Sequence, residues 1–229
     1  MKVFCVRIGD RYGPEYEDYI NSKLEGDWDV HWIREPFHPA VPLQWNKLQV
    51  FGLDINEPVI LMDIDKLLIH DYKEVLNYPC KKGEFVTTPY WWKQPTMPYK
   101  SSGGFYKFWP STTRHIYEKF IGDIPYYTNY YIKAGLTTGP VNGEFMFVQD
   151  SLYGMDIRIM PDAWFTRWVS DKEITTNKIR LESKYCETTG NDYLYDGIDF
   201  HPDIKMVHFT HSLNKPHEWK DYDKFNSKL

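Results

Sequence analysis

Asp63 and Asp65 flank Ile64 at the end of the apolar run Val59-Ile60-Leu61-Met62. Alternation along a strand would put the two carboxylates on one side and turn Ile64 to the core. Two carboxylates on one side repel each other unless a cation lies between them, and hard oxygen ligands suit Mg²⁺ or Mn²⁺. In open α/β sheets the carboxyl end of a strand is also where ligands bind. Two further Asp-x-Asp triplets, Asp27/Asp29 and Asp221/Asp223, lie in polar surroundings, so only the middle one ends an apolar strand. Taken alone, that triplet reads equally well as a solvated turn.

A second set lies near the C-terminus, in Val207-His208-Phe209-Thr210-His211-Ser212-Leu213-Asn214-Lys215-Pro216. A strand delivers His208, whose neutral imidazole suits a carboxylate metal site. The loop beyond it offers Lys215, a point charge for phosphate oxygens. A surface loop with scattered polar groups is the bland alternative.

The elements that must position these groups follow from pattern. Residues 2–8 read as a buried first strand, and Pro14 opens a helix in which Tyr16, Ile20 and Leu24 keep helical spacing before Gly26. Val30–Ile33 reads as a strand, Leu43–Phe51 as a short helix, and Val59–Met62 as the clearest buried strand. Phe85–Pro89 and Gly104–Phe108 read as strands, with a helix capped by Ser111 holding Ile116 and Phe120 as far as Gly122. The Tyr- and Gly-rich stretch 123–142 reads as an irregular surface excursion. Gly143–Tyr153 reads as a helix, and Ile157–Met160 and Met206–Phe209 as strands. Trp164 and Trp168, four apart, read as the core side of a helix. Strands alternating with helices imply a single α/β/α sandwich with a mostly parallel central sheet.

Composition narrows the function. The chain has 229 residues, a net charge of −5 and 42% hydrophobic residues, as a globular protein with an ample core would. The acidic balance disfavours nucleic-acid binding, which calls for a basic face. Three scattered cysteines, Cys5, Cys80 and Cys186, form no CxxC pair and read as free thiols of a reducing compartment. Arg7 and Asp10 interrupt the N-terminal apolar stretch too early for a signal peptide, and no run is long enough to span a bilayer. The expectation is a soluble protein of the cytoplasm, or of the host cytoplasm if virus-encoded. Aromatic residues make up 17% of the chain. They suit a large core, although Trp91-Trp92, in a proline-flanked loop, also suit sugar stacking.

Put in order, these blocks resemble a glycosyltransferase of the GT-A fold, closest to the glycogenin-type members of glycosyltransferase family 8 and related bacterial and viral sugar transferases. The resemblance runs from residue 2 to about 219. It implies one GT-A domain over 1–229, with a nucleotide-binding half to about 110, an acceptor half over 111–219 and a polar tail over 220–229. It implies that Val6, Ile8 and Gly9 hold the uracil and ribose while Tyr12 stacks on the base. Lys47 would approach the donor's phosphate or sugar. Asp63-Ile64-Asp65 is similar to the family's DXD motif, so Asp63 and Asp65, with His208 as third ligand, would hold Mn²⁺ or Mg²⁺.

Ser101 and Ser102, in Lys100-Ser101-Ser102-Gly103-Gly104, stand in the donor-sugar block, with Ser101 in place of the usual Asn. Glu144, after Asn142-Gly143, falls near the anomeric carbon. Lys215 would clamp the diphosphate beside His211, where the family usually has Gly. The implied reaction moves a sugar from a UDP-sugar to a hydroxyl of a glycan or glycoprotein with retained configuration. Inversion would instead require a base, for which Glu144, Asp150 and Asp162 are candidates. The other readings are a metal-dependent nucleotidyltransferase or sugar-nucleotide hydrolase, and a non-catalytic carbohydrate-binding protein.

Overall fold

The structure is a computed structural model that describes residues 1–89, 101–136, 143–168 and 203–209. In chain order its elements are β1 (Lys2–Val6), α1 (Pro14–Leu24), β2 (Asp29–Ile33), 3₁₀ turns over Leu43–Gly52, β3 (Val59–Met62) and β4 (Lys66–Leu68). Then come α2 (Lys73–Asn77), β5 (Glu84–Pro89), β6 (Ser101–Phe108), α3 (Pro110–Gly122), α4 (Ile124–Lys133), α5 (Glu144–Asp150), β7 (Asp156–Ile159), β8 (Phe165–Trp168) and β9 (Met206–Phe209).

Six strands form the main sheet in the order β2-β1-β3-β6-β5-β7. All run parallel except β6, which is antiparallel to both of its neighbours. The mixed α/β architecture with a mostly parallel sheet is therefore as expected. A second sheet of three strands, β4-β9-β8, pairs Lys66 with His208 across antiparallel β4 and β9.

The central strand β3 is buried at all four positions because the sheet is covered on both faces. Alternation divides its side chains between two apolar clusters. Ile60 and Met62 join Val3, Cys5, Tyr16, Ile20 and Leu24 on the α1 side. Val59 and Leu61 join Trp45, Phe51, Phe85, Tyr106, Phe108 and Phe120 on the other. In α1, Pro14 sits in the first turn with Glu15 and Glu17, and Lys23 lies in the last turn. Most aromatic bulk is core, as in the stack of Phe51 on Phe108 at 4.3 Å between ring centres. Cys5 is buried and Cys80 half-buried, both as free thiols.

Four local expectations need correction. Residues 123–133 are no excursion: Asp123 accepts a hydrogen bond from the Tyr126 amide at 3.0 Å and caps α4. Ile124, Thr128 and Tyr131 then form its buried stripe. Ser111 is not the cap of α3, whose N-cap is Trp109 with Pro110 in the first turn. Residues 43–52 wind as 3₁₀ turns, not as an α-helix. Trp164 ends a 3₁₀ turn and Trp168 lies in β8, so the two do not share a helix face. Among the described residues, no helix is long and apolar enough to cross a membrane.

Candidate active site

A cleft opens beyond the carboxyl ends of β1 and β3. Its walls include Val6, Ile8 and Tyr12 from the first strand and turn, Lys47 from the 3₁₀ turns, and Asp63 to Asp65 after β3. The sequence placed all seven at a nucleotide site. It missed Arg11, Leu43 and Gln44, which also line the cleft. Gly9 adopts φ +76°, and a side chain there would meet Leu43 at 3.4 Å, so the turn stays bare and close to the wall.

Residues 63–65 form a bend after β3, which ends at Met62. The two carboxylates therefore share the cleft without sharing a strand face. Asp63 faces Lys47, whose Nζ lies 2.5 Å from its Oδ1 and 3.4 Å from Glu144 Oε2. Lys47 also donates to the Gly103 carbonyl at 3.3 Å. Asp65 turns to the small sheet, where His208 Nδ1 lies 3.3 Å and Lys66 Nζ 3.7 Å from its Oδ1. The Tyr12 hydroxyl donates to the other oxygen of Asp65 at 3.2 Å. Ile64 is buried against the α1-side core, as its place in the triplet requires.

Lys66 is the residue whose importance the sequence did not reveal. It is fully buried, and its Nζ lies 2.5 Å from His208 Nδ1. A β-carbon on Gly104 would lie 2.4 Å from this ammonium and 3.4 Å from Asp63 Oδ2, so glycine at 104 leaves the space the cation fills. The signal was present in the Lys directly after the triplet, but its partner is a residue 142 positions away.

Burial and charge set the protonation states. Burial alone would raise the Asp65 carboxyl, but His208 and Lys66 outweigh it and hold it well below the usual carboxylate range. Burial, helped by Lys66, lowers His208 against the pull of Asp65 and Asp63. Burial also lowers Lys66 against the pull of Asp65 and Asp63. For Lys47, burial is outweighed by Asp63 and Glu144, which raise it. Burial pushes Glu144 up to about 7, opposed by Lys47 and reinforced by Asp63.

Glu144 does not line the cleft; it is 3% exposed, behind Lys47 and beside Tyr106, and its Oε1 is buried with no hydrogen-bond partner. Ser101 and Ser102 are buried in β6 away from the cleft wall. Their carbonyls accept from Gln149 at 3.0 Å and Thr87 at 3.2 Å. Asp150 accepts from the Tyr131 hydroxyl at 2.8 Å, and Asp162 lies in the 3₁₀ turn before β8. Trp91, Trp92, Lys100, Asn142, His211, Lys215, His217 and Trp219 lie outside the described residues.

The donor types of Asp63, Asp65 and His208 suit a divalent cation, but the arrangement does not. Among the described residues, no three His, Cys, Asp or Glu side chains are grouped to hold a metal ion. An ammonium stands against each carboxylate instead.

Solved structures similar to this one include glycosyltransferases. The galactosyltransferase LgtC, in complex with donor and acceptor sugar analogues, matches 99% of this chain and 94% of its own at 9% identity, with a TM-score of 0.52. An active-site mutant of LgtC matches the same shares at 10% identity and a TM-score of 0.55. The apo form of the glycosyltransferase GlyE from Streptococcus pneumoniae TIGR4 matches 99% of this chain and 63% of its own at 10% identity, with a TM-score of 0.57. The chain thus has the GT-A type of glycosyltransferase fold. No protein-family model and no curated protein matches it by sequence.

Proposed function

We propose that this protein transfers a sugar from a nucleoside diphosphate sugar, a UDP-sugar, to a hydroxyl of a carbohydrate or glycoprotein acceptor. The observation that carries the reading is the cleft itself. At the strand ends of a glycosyltransferase-type fold it gathers Tyr12, Arg11, Lys47, Asp63 and Asp65. In open α/β sheets this is where a nucleotide sits.

In this reading Tyr12 offers its ring to the base, with the Arg11 guanidinium 5.3 Å from the centre of that ring. The anomeric C–O bond breaks with its electron pair leaving on the diphosphate, and the acceptor oxygen bonds to the same carbon and gives its proton to the departing diphosphate oxygen. Lys47 holds fixed positive charge at the cleft wall where the leaving group becomes more negative, and such preorganised charge supplies much of catalysis. Asp63 and Asp65 are the only carboxylates that line the cleft among the described residues, and both face ammoniums. In this reading the acceptor attacks from the leaving group's own side and the configuration is retained.

The test is UDP release from a panel of UDP-sugars, with proton NMR of the product's anomeric coupling. Asp65→Ala lowers turnover by about a hundredfold if the site's fixed charges dominate. Equal turnover in the variant refutes the site, and no UDP release with any donor refutes the activity.

A further inference from the structure

We infer that the Lys66 ammonium is the resident cation of this site, standing among Asp65, His208 and Asp63 where a divalent metal would be held, so that nucleotide binding needs no added metal. Three observations converge on this place. The ammonium is within 2.5 Å of His208 Nδ1 and 3.7 Å of Asp65 Oδ1. The backbone is bare beside it, because a β-carbon on Gly104 would come within 2.4 Å of Nζ and 3.4 Å of Asp63 Oδ2. The pairing of β4 with β9 sets Lys66 directly opposite His208, so strand register and not a chance rotamer brings the two together.

Charge balance points the same way. The cluster holds two carboxylates that line the cleft, Asp63 and Asp65, and two lysines, Lys47 and Lys66, with Glu144 buried behind Lys47. A set of two carboxylates and one neutral imidazole would require a doubly charged ion for neutrality, whereas here that charge is already covalent. A divalent ion entering now would sit against a buried like charge, and such repulsion is strong where water is excluded. To bind, it would have to displace Lys66, whose side chain is fully buried.

The manganese part of this inference stands on geometry alone, while its consequence for the nucleotide rests on the sugar-transfer reading. The full chain is titrated with Mn²⁺ alone and followed by the electron paramagnetic resonance of the free ion, for wild type and for the nearly isosteric Lys66→Met. Wild type should leave Mn²⁺ free at concentrations below a millimolar, and Lys66→Met should bind it at least tenfold more tightly. Retention of one Mn²⁺ by wild type at micromolar concentration overturns the inference, as does a folded Lys66→Met with no gain. The wild-type arm needs no variant to fold.

UDP calorimetry in EDTA and in millimolar Mn²⁺ is the second measurement. Affinities within about twofold of each other support a built-in cation, and a tenfold gain with Mn²⁺ overturns it. Absence of UDP binding under both conditions counts against the sugar-transfer reading, and the manganese titration still decides the role of Lys66.

Discussion

Glu144→Gln isolates one buried proton. Glutamine keeps the shape and stays neutral at every pH, while the native carboxyl is lifted from an ordinary 4.5 to about 7, first by burial and with a contribution from Asp63. Because the folded state holds this proton more tightly than the unfolded state, its stabilising effect is complete below pH 4.5 and is lost as pH rises through 7. A displacement of about 2.5 units corresponds to about 3 kcal/mol over the whole window, of which about 2 kcal/mol falls between pH 5.5 and 8.5. Urea unfolding of wild type and variant at these two pH values gives the comparison directly. The variant should gain about 2 kcal/mol on wild type between them, or roughly 4–8 °C in midpoint for a chain of this size. Parallel stability curves across this window would show that Glu144 is already ionised by its 3.4 Å contact with Lys47, and would refute the reasoning.

Three other substitutions bear on the cleft and its charged centre. Tyr12→Phe removes the 3.2 Å hydrogen bond to Asp65 and should cost about 1 kcal/mol of stability, with UDP affinity nearly unchanged. Tyr12→Ala should weaken UDP about tenfold or more in calorimetry if the ring stacks on the base, as base stacking contributes about 1–3 kcal/mol. Gly104→Ala places a methyl 2.4 Å from Lys66 Nζ and should lower stability in urea by about 1–3 kcal/mol through overpacking; an unchanged midpoint would mean that the ammonium is free to leave.

The wall of the cleft was legible because its residues lie on short, continuous pieces of chain with strong local signals. The all-apolar β3 announces itself, and the carboxylates follow it directly. What was not legible depends on partners far away in sequence. Lys66-Leu67-Leu68 is too short to read as a strand until β9 pairs with it. The bend at 63–65 reassigns the carboxylates to different neighbours, which strand alternation alone cannot foresee. The helix α4 is a different case. Its capping Asp123, early Pro125 and the spacing of Ile124, Thr128 and Tyr131 were all present, but tyrosine-rich composition outweighed periodicity. At Trp164 and Trp168 the error ran the other way, since a spacing of four is satisfied equally by a turn entering a strand. Ser101, Ser102 and Glu144, which the resemblance assigned to the donor sugar, are buried and do not line the cleft.

The pairing of β4 with β9 also fixes an order of events. Synthesis produces Asp63, Asp65 and Lys66 well before the strand that carries His208. A nascent chain can complete β1 to β3 and still hold a lysine and a carboxylate with their imidazole not yet made. Non-local strand pairings of this kind are slow to form, because their loop-closure entropy is lost before any contact offsets it. The site is therefore among the last parts of the molecule to mature on the ribosome. A chain arrested before residue 206 would hold every strand of the main sheet, with Lys47, Asp63, Asp65 and Lys66, but not His208.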